Sequence, residues 1–262
     1  MKAVMLAAGV GRRLYGDDRH QPPKALLEFG GKTLLRRHIE LLTEIGIDEL
    51  VLVVGHRKAE IVAEAEAVAP KGFVRFLYNP RYRGGPVLSL WTAREVLRSG
   101  VDILFMDADV LYHRHLLERL IVSAHANCFL VDRDFEAGDE PVKLCITGGQ
   151  PVEFGKKVEG TFEVVGEWPG FLKLSPPIAA KLADACQGFV DRGELAAPYE
   201  PAMREVLRTE PKVSFGYEDI TGVPWIEIDF PSDLLRAEKH VLPHLNDPIP
   251  AARGAKKSSG RA

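Results

Sequence analysis

Residues 1–14 read Met1-Lys2-Ala3-Val4-Met5-Leu6-Ala7-Ala8-Gly9-Val10-Gly11-Arg12-Arg13-Leu14, and this stretch decides the fold. A short apolar run passes straight into a turn of Ala and Gly, and two arginines follow. The run is too short to cross a bilayer and lacks the organisation of a signal peptide, so it reads as a buried first strand. Ala and Gly in the turn admit close approach of a backbone or an anion, and their N–H groups can face it.

The pattern of strand, turn and helix repeats along the chain. Thr33 caps a helix in which Leu34, Leu35, Leu41, Leu42 and Ile45 recur at helical spacing, and Gly46 stops it. Strands are expected at Glu49–Val54, Val74–Tyr78, Val101–Met106 and Asn127–Val131, with helices at Lys58–Val68, Leu88–Arg98 and His115–His125. Strands spaced by helices imply parallel βαβ units with both sheet faces covered, and ligands of such sheets bind beyond the carboxyl ends of the strands. The expected fold is α/β, a Rossmann-like three-layer sandwich with a mostly parallel central sheet and a small antiparallel insertion. The insertion is placed at residues 132–175, where Pro141–Ile146, Val152–Val158 and Phe162–Lys173 read as a meander acting as a lid for an acceptor. Helices at Pro177–Arg192 and Pro201–Arg208, strands at Val213–Tyr217 and Trp225–Asp229, and a helix at Ser232–Leu242 complete a single domain over residues 1–245. Residues 246–262 read as a flexible basic tail.

The 262 residues carry 34 Lys+Arg against 37 Asp+Glu, a formal charge of −3. Near neutrality argues against a nucleic-acid partner, and the absence of a long apolar run argues against a membrane span. Three cysteines, Cys128, Cys145 and Cys186, show no metal-ligand spacing; their odd number favours a reducing, cytoplasmic setting.

Two known phosphate loops fail here. Leu14 stands where a dinucleotide fingerprint needs its third Gly, and Leu26 stands where a Walker A loop ending in Gly31-Lys32-Thr33 needs its first. Gly30-Gly31-Lys32 therefore reads as a tight turn before a capped helix. Arg12, Arg13 and Lys24 (of Pro23-Lys24) supply cations near the N–H-rich turn, as a triphosphate cradle requires. Asp107 and Asp109 end one strand, and Glu227 and Asp229 repeat the spacing on another. Residues i and i+2 share a strand face, and such hard oxygen donors suit Mg²⁺. The competing reading is helix capping by Asp109 and Asp229. Lys143, Lys156 and Lys157 are candidates for the phosphate of an acceptor, with Glu167, Tyr199 and Glu200 shaping its site. Trp91, Trp168, Tyr199 and Trp225 are each better read as packing than as an aromatic cage, and His113 and His115 as exposed helix positions.

The strings LAAGVGRRL, PKALLEFGGKTLLRRHIELL, DAD and WIEIDFPSDLLRAEKHV together closely resemble the nucleotidyltransferases that activate sugar phosphates and related small phosphates. With GEWPGFLKLS, the resemblance is greatest to the phosphocholine cytidylyltransferase-type branch, and it covers Met1 to about Leu245. It implies that Leu6, Ala7, Ala8, Gly9 and Gly11 hold base and phosphates, that Arg13 contacts the leaving pyrophosphate and that Lys24 contacts the α-phosphate. It makes Asp109 and Asp229 metal ligands, with Glu227 assisting. Gly85-Pro86 departs from the pair of Asn usual in that branch; Ser89 matches, and Gly85 resembles the Gly that other nucleotidyltransferases place beside the base. The implied activity is transfer of a nucleotidyl group, most simply CMP from CTP, to a small phosphorylated or phosphonylated alcohol such as phosphocholine, with Mg²⁺ and release of pyrophosphate. Transfer from UTP, GTP or dTTP to a sugar 1-phosphate is the runner-up. A GT-A glycosyltransferase and a non-catalytic nucleotide sensor are rival classes, and a homodimer is an allowed assembly.

Overall fold

Alternation along the apolar strands, with both sets of side chains buried, builds the central sheet. In the computed structural model, which describes residues 1–249 except Asp17 and Arg19, β1 (Lys2–Ala7), β2 (Glu49–Val54), β3 (Val74–Tyr78) and β4 (Ile103–Asp107) run parallel. Ala3, Met5, Leu50, Leu52, Leu104 and Met106 face one core, and Val4, Val51, Val53, Ile103 and Phe105 the other. Two covered faces explain why the middles of β1, β2 and β4 are apolar at every position rather than at every second one. On the first side pack α1 (Leu34–Glu44) and α2 (Lys58–Val68), through Leu35, Ile39, Leu42, Ile61 and Ala65. On the second lies α3 (Pro86–Thr92), through Val87, Leu88 and Leu90. Thr33 Oγ1 accepts from Arg36 N, the expected cap of α1. Before it, Gly30 and Gly31 both take positive φ (57° and 74°) in the turn of a short hairpin, a conformation that favours Gly.

Beyond β4 come β5 (Val110–Tyr112), α4 (His115–Val122) and β6 (Cys128–Val131). An antiparallel sheet follows, made of β7 (Lys143–Thr147), β8 (Gln150–Gly155) and β9 (Val164–Glu167) in the order β8-β7-β9. Asp132 and Glu167 exchange backbone hydrogen bonds of 2.9 and 2.7 Å, which join this small sheet to the end of β6. The chain then re-enters the central sheet as β10 (Phe171–Leu174), antiparallel to both β4 and β6. The 132–175 meander expected from sequence thus ends early, and its last strand belongs to the main sheet. Gly170 makes the change of direction, at φ +91° and hard against the Asp107 side chain. Next are α5 (Pro176–Asp191), α6 (Glu200–Thr209), β11 (Gly216–Asp219), β12 (Trp225–Glu227) and α7 (Pro231–Arg236). The central sheet order is β11-β6-β10-β4-β1-β2-β3.

The helix expected at Leu88–Arg98 is broken at Ala93 into α3 and a single turn, Arg94–Leu97. The one expected at Ser232–Leu242 continues α7 through a π turn, Ala237–Val241. The basic tail lies outside the described residues from residue 250 onward. Among the described residues, no helix is long and apolar enough to cross a membrane, and the three cysteines are buried thiols.

Candidate active site

Sheet register brings the Gly-rich turn and the aspartates together. Leu6 of β1 pairs with Asp107 of β4, so both strands end on one rim, where the turn 8–11 and the Asp107-Ala108-Asp109 segment diverge. Asp229 arrives by a second register: Glu227 pairs with Val110 across β12 and β5, and Ile228 N donates to Asp109 O at 3.0 Å. One oxygen from each of Asp109, Glu227 and Asp229 lies within 4.8 Å of the others. Asp233 accepts from the N–H groups of Asp229 (3.0 Å) and Phe230 (2.7 Å), fixing the backbone there. This assigns the opening of α7 to Asp233 rather than to Asp229, whose side chain is one of the three.

Lys24, on the short turn Lys24–Leu26, places its ammonium between two of these carboxylates, 3.1 Å from Asp109 and 2.6 Å from Asp229. Burial alone would lower its pKa, but Asp109, Asp229 and Glu227 outweigh burial and the net shift is upward. Lys24 is therefore fully charged at neutral pH. Arg13 reaches Asp229 at 2.8 Å and Glu140 at 2.6 Å. Burial, and then the charge of Asp109, pushes the Glu227 carboxyl well above the ordinary range. Asp107 shifts the same way for the same two reasons, and it accepts a hydrogen bond from the Tyr199 hydroxyl. Asp107 is not one of the three carboxylates whose oxygens close on one another. Three hard oxygen donors this close, in a partly desolvated setting, fit a divalent cation such as Mg²⁺.

A cavity of about 360 Å³ opens at this rim. Its lining contains Leu6, Ala7, Ala8, Gly9, Gly11, Arg13, Lys24, Gly85, Ser89 and Asp109, the whole set expected to hold a nucleotide, together with Glu227 and Asp229. Of the residues expected to bind an acceptor, Tyr199 and Glu200 line it, whereas Lys143, Lys156 and Glu167 do not. Lys143 Nζ donates to the carbonyls of Gly138 and Lys156, and Lys156 pairs with Glu140 at 3.1 Å. Glu167 lies beside Asp132, where burial first and that neighbour second push its carboxyl up to about 7. Glu200 Oε2 is buried and has no hydrogen-bond partner among the described residues.

Gly85 lines the cavity for a reason the sequence did not show. Its N–H donates to Leu195 O at 2.6 Å, and a Cβ there would fall on the Ala196–Ala197 backbone. The glycine lets the loop before α6 close on α3, and that loop carries Tyr199 and Glu200 to the cavity wall. Ser89 is held from behind: buried Asn79 donates to its hydroxyl at 3.1 Å and accepts from Arg81 N.

The aromatic residues do not form a cage. Trp168 is buried and stacks near Phe105, Trp91 donates to Gln187, and Trp225 donates to Asp132. His113, expected to be exposed, is buried and its Nε2 lies 3.0 Å from Asp247 O. His38 is a buried residue beside the site that no motif marks. Buried on α1, it sets Nε2 3.3 Å from Ala108 O and Nδ1 3.0 Å from Tyr112 Oη. A carbonyl only accepts, so Nε2 carries the proton and Nδ1 accepts from the tyrosine. The imidazole therefore props the Asp107–Asp109 segment from below. Its signal was present in the helical pattern, which puts His38 on the same face as Leu34, Leu35, Ile39 and Leu42.

Solved structures share this architecture. The CTP:phosphocholine cytidylyltransferase LicC of Streptococcus pneumoniae superposes with a TM-score of 0.70 at 20% identity, covering 90% of this chain and 97% of LicC. The inositol-1-phosphate CTP transferase of T. maritima gives 0.71 at 18% identity, covering 95% and 98%. Among curated sequences, a bifunctional IPC transferase and DIPP synthase of Rubrobacter xylanophilus is 31% identical over 248 residues, 92% of this chain and 52% of that protein. The chain thus spans about half the length of that relative. The CTP:phosphoglutamine cytidylyltransferase of Campylobacter jejuni is 24% identical over 89% of this chain and 98% of its own length. Residues 3–163, more than half of the chain, match the MobA-like NTP transferase domain, and the protein belongs to that family of nucleotidyltransferases.

Proposed function

We propose that the protein transfers CMP from CTP to a small phosphorylated or phosphonylated acceptor, with Mg²⁺, releasing pyrophosphate. The observation that carries this reading is the convergence of Lys24 with Asp109, Glu227 and Asp229 at the mouth of the Gly-rich turn. CTP as donor is supported by the relatives, several of which are named for it.

An acceptor phosphate oxygen attacks the α-phosphorus in line; that P–O bond forms as the bond to the β-phosphate oxygen breaks, and pyrophosphate departs with the electron pair. The attacking oxygen is already anionic, so no strong base is required and catalysis is positioning and charge neutralisation. Asp109, Glu227 and Asp229 would hold the divalent ion, which supplies positive charge to the α-phosphate. Lys24 turns from the carboxylates toward charge developing on the α-phosphoryl oxygens, and Arg13 serves the departing pyrophosphate. The N–H groups of the 8–11 turn cradle the triphosphate. Tyr199 and Glu200 face the acceptor, whose hydrogen-bond donors would satisfy the orphaned Glu200 oxygen.

The deciding experiment is a pyrophosphate-release screen crossing CTP, UTP, GTP and dTTP with phosphate and phosphonate acceptors, with and without Mg²⁺. Release from CTP with a phospho-alcohol supports the assignment. Release confined to UTP, GTP or dTTP with sugar 1-phosphates would replace it.

A further inference from the structure

Between β6 and β7 the chain runs from residue 133 to 142 without helix or strand, and Arg133, Asp134 and residues 136–140 are exposed. Apart from half-buried Phe135, the segment's middle is exposed, and polar contacts tie it down. Arg133 pairs with Asp219 at 2.8 Å, Glu136 with Arg236 at 3.7 Å, and Gly138 O accepts from Lys143 Nζ at 2.6 Å. Its end reaches Arg13, just after the Gly-rich turn, through one atom. Glu140 Oε2 lies 2.6 Å from Arg13 Nη1 and 3.1 Å from Lys156 Nζ.

One anionic oxygen held between a guanidinium and an ammonium is an arrangement that a phosphate oxygen satisfies equally well, with more charge and further acceptor oxygens. Arg13 lines the cavity and Lys156 shares the Glu140 oxygen with it, so the pair marks the cavity edge. The Glu140 side chain is 57% exposed; on release it returns to water at little cost.

We propose that Arg13 and Lys156 form a subsite for a substrate phosphate group, and that Glu140 occupies this subsite as a built-in competitor until that phosphate arrives. The two cations then pass from the carboxylate to the phosphate, and the 133–142 segment loses its tie to Arg13. The source of the phosphate is either the nucleotide or the acceptor, and assigning it to those two rests on the nucleotidyl-transfer reading above.

Calorimetric titration of the full chain with pyrophosphate, in the presence of Mg²⁺, tests the subsite without turnover. Glu140→Gln should bind pyrophosphate about 3- to 5-fold more tightly than wild type, the range expected for removing an exposed ionic competitor. Lys156→Met should erase that gain in the double variant. Parallel titrations assign the source: tightening of CTP alone names the nucleotide, and tightening of phosphocholine alone names the acceptor. Wild-type or weaker affinity of Glu140→Gln for all three probes overturns the proposal. If Glu140→Gln tightens pyrophosphate in a protein that turns over no acceptor, the reaction assignment falls and the subsite stands.

Discussion

Lys24 Nζ lies 2.6 Å from Asp229 Oδ1, a contact that spans 205 positions of the chain. The same ammonium is 3.1 Å from Asp109, so one lysine ties together the first turn, the end of β4 and the end of β12. It occupies the region a divalent cation would share, and that competition gives a consequence with two signs. Lys24→Met should lower turnover about 100-fold, mainly in kcat, because charge on the α-phosphate loses a fixed counter-charge. The same variant should bind Mn²⁺ more tightly than wild type in the absence of nucleotide, since three carboxylates lose their internal cation. Steady-state kinetics and Mn²⁺ titration by electron paramagnetic resonance check the two effects separately.

Gly85 has no room for a side chain. A methyl group there meets the Ala196–Ala197 backbone, so Gly85→Ala must push the loop outward. The cost should be about 1–3 kcal/mol of stability, read by urea denaturation. The acceptor KM should rise more than the CTP KM, because the displaced loop carries Tyr199 and Glu200.

Burial lowers the pKa of His38 to about 4 from an ordinary 6.5. Between these values the unfolded chain binds a proton that the folded chain refuses. Stability from this group is therefore complete above about pH 6.5 and falls as the pH drops toward 4. The full loss should be about 3 kcal/mol at 1.36 kcal/mol per unit. Denaturation midpoints across pH 7.5 to 4.5 measure it. His38→Gln should flatten that slope; an unchanged slope would assign the acid sensitivity to other groups. A mispositioned Asp109 in His38→Gln should also weaken Mn²⁺ binding at pH 7.5, where the protonation difference is absent.

Much of this arrangement was legible in the residues. Short apolar runs spaced by helices made β1, β2 and β4 readable, Thr33 announced its helix, and Leu6–Gly11, Lys24, Asp109, Glu227 and Asp229 carried a family pattern that the cavity lining contains in full. What could not be read depends on long-range register. Nothing local says that Phe171–Leu174 leaves the small sheet to lie between β4 and β6, because that placement is a pairing choice made 65 positions from its partner, Phe171 against Met106. Lys143 and Glu167 have the chemistry of a phosphate or amine site, but backbone carbonyls and Asp132 engage them outside the cavity, and the Glu140 contact that makes Lys156 a phosphate candidate is equally invisible in the sequence. Gly85 showed its identity and not its cause, since the loop that presses on it lies more than a hundred residues later.

In the proposed reaction Asp109, Glu227 and Asp229 gather a divalent ion on the phosphates of a nucleotide held by the Gly-rich turn. Calorimetric titration of CTP into wild-type protein and Asp229→Asn, each with Mg²⁺ and with EDTA, tests it most directly. The predicted result is tight binding by wild type with Mg²⁺, and about 10- to 100-fold weaker binding when either the ion or the Asp229 charge is removed, with no further loss when both are. Equal affinity in all four titrations would contradict it.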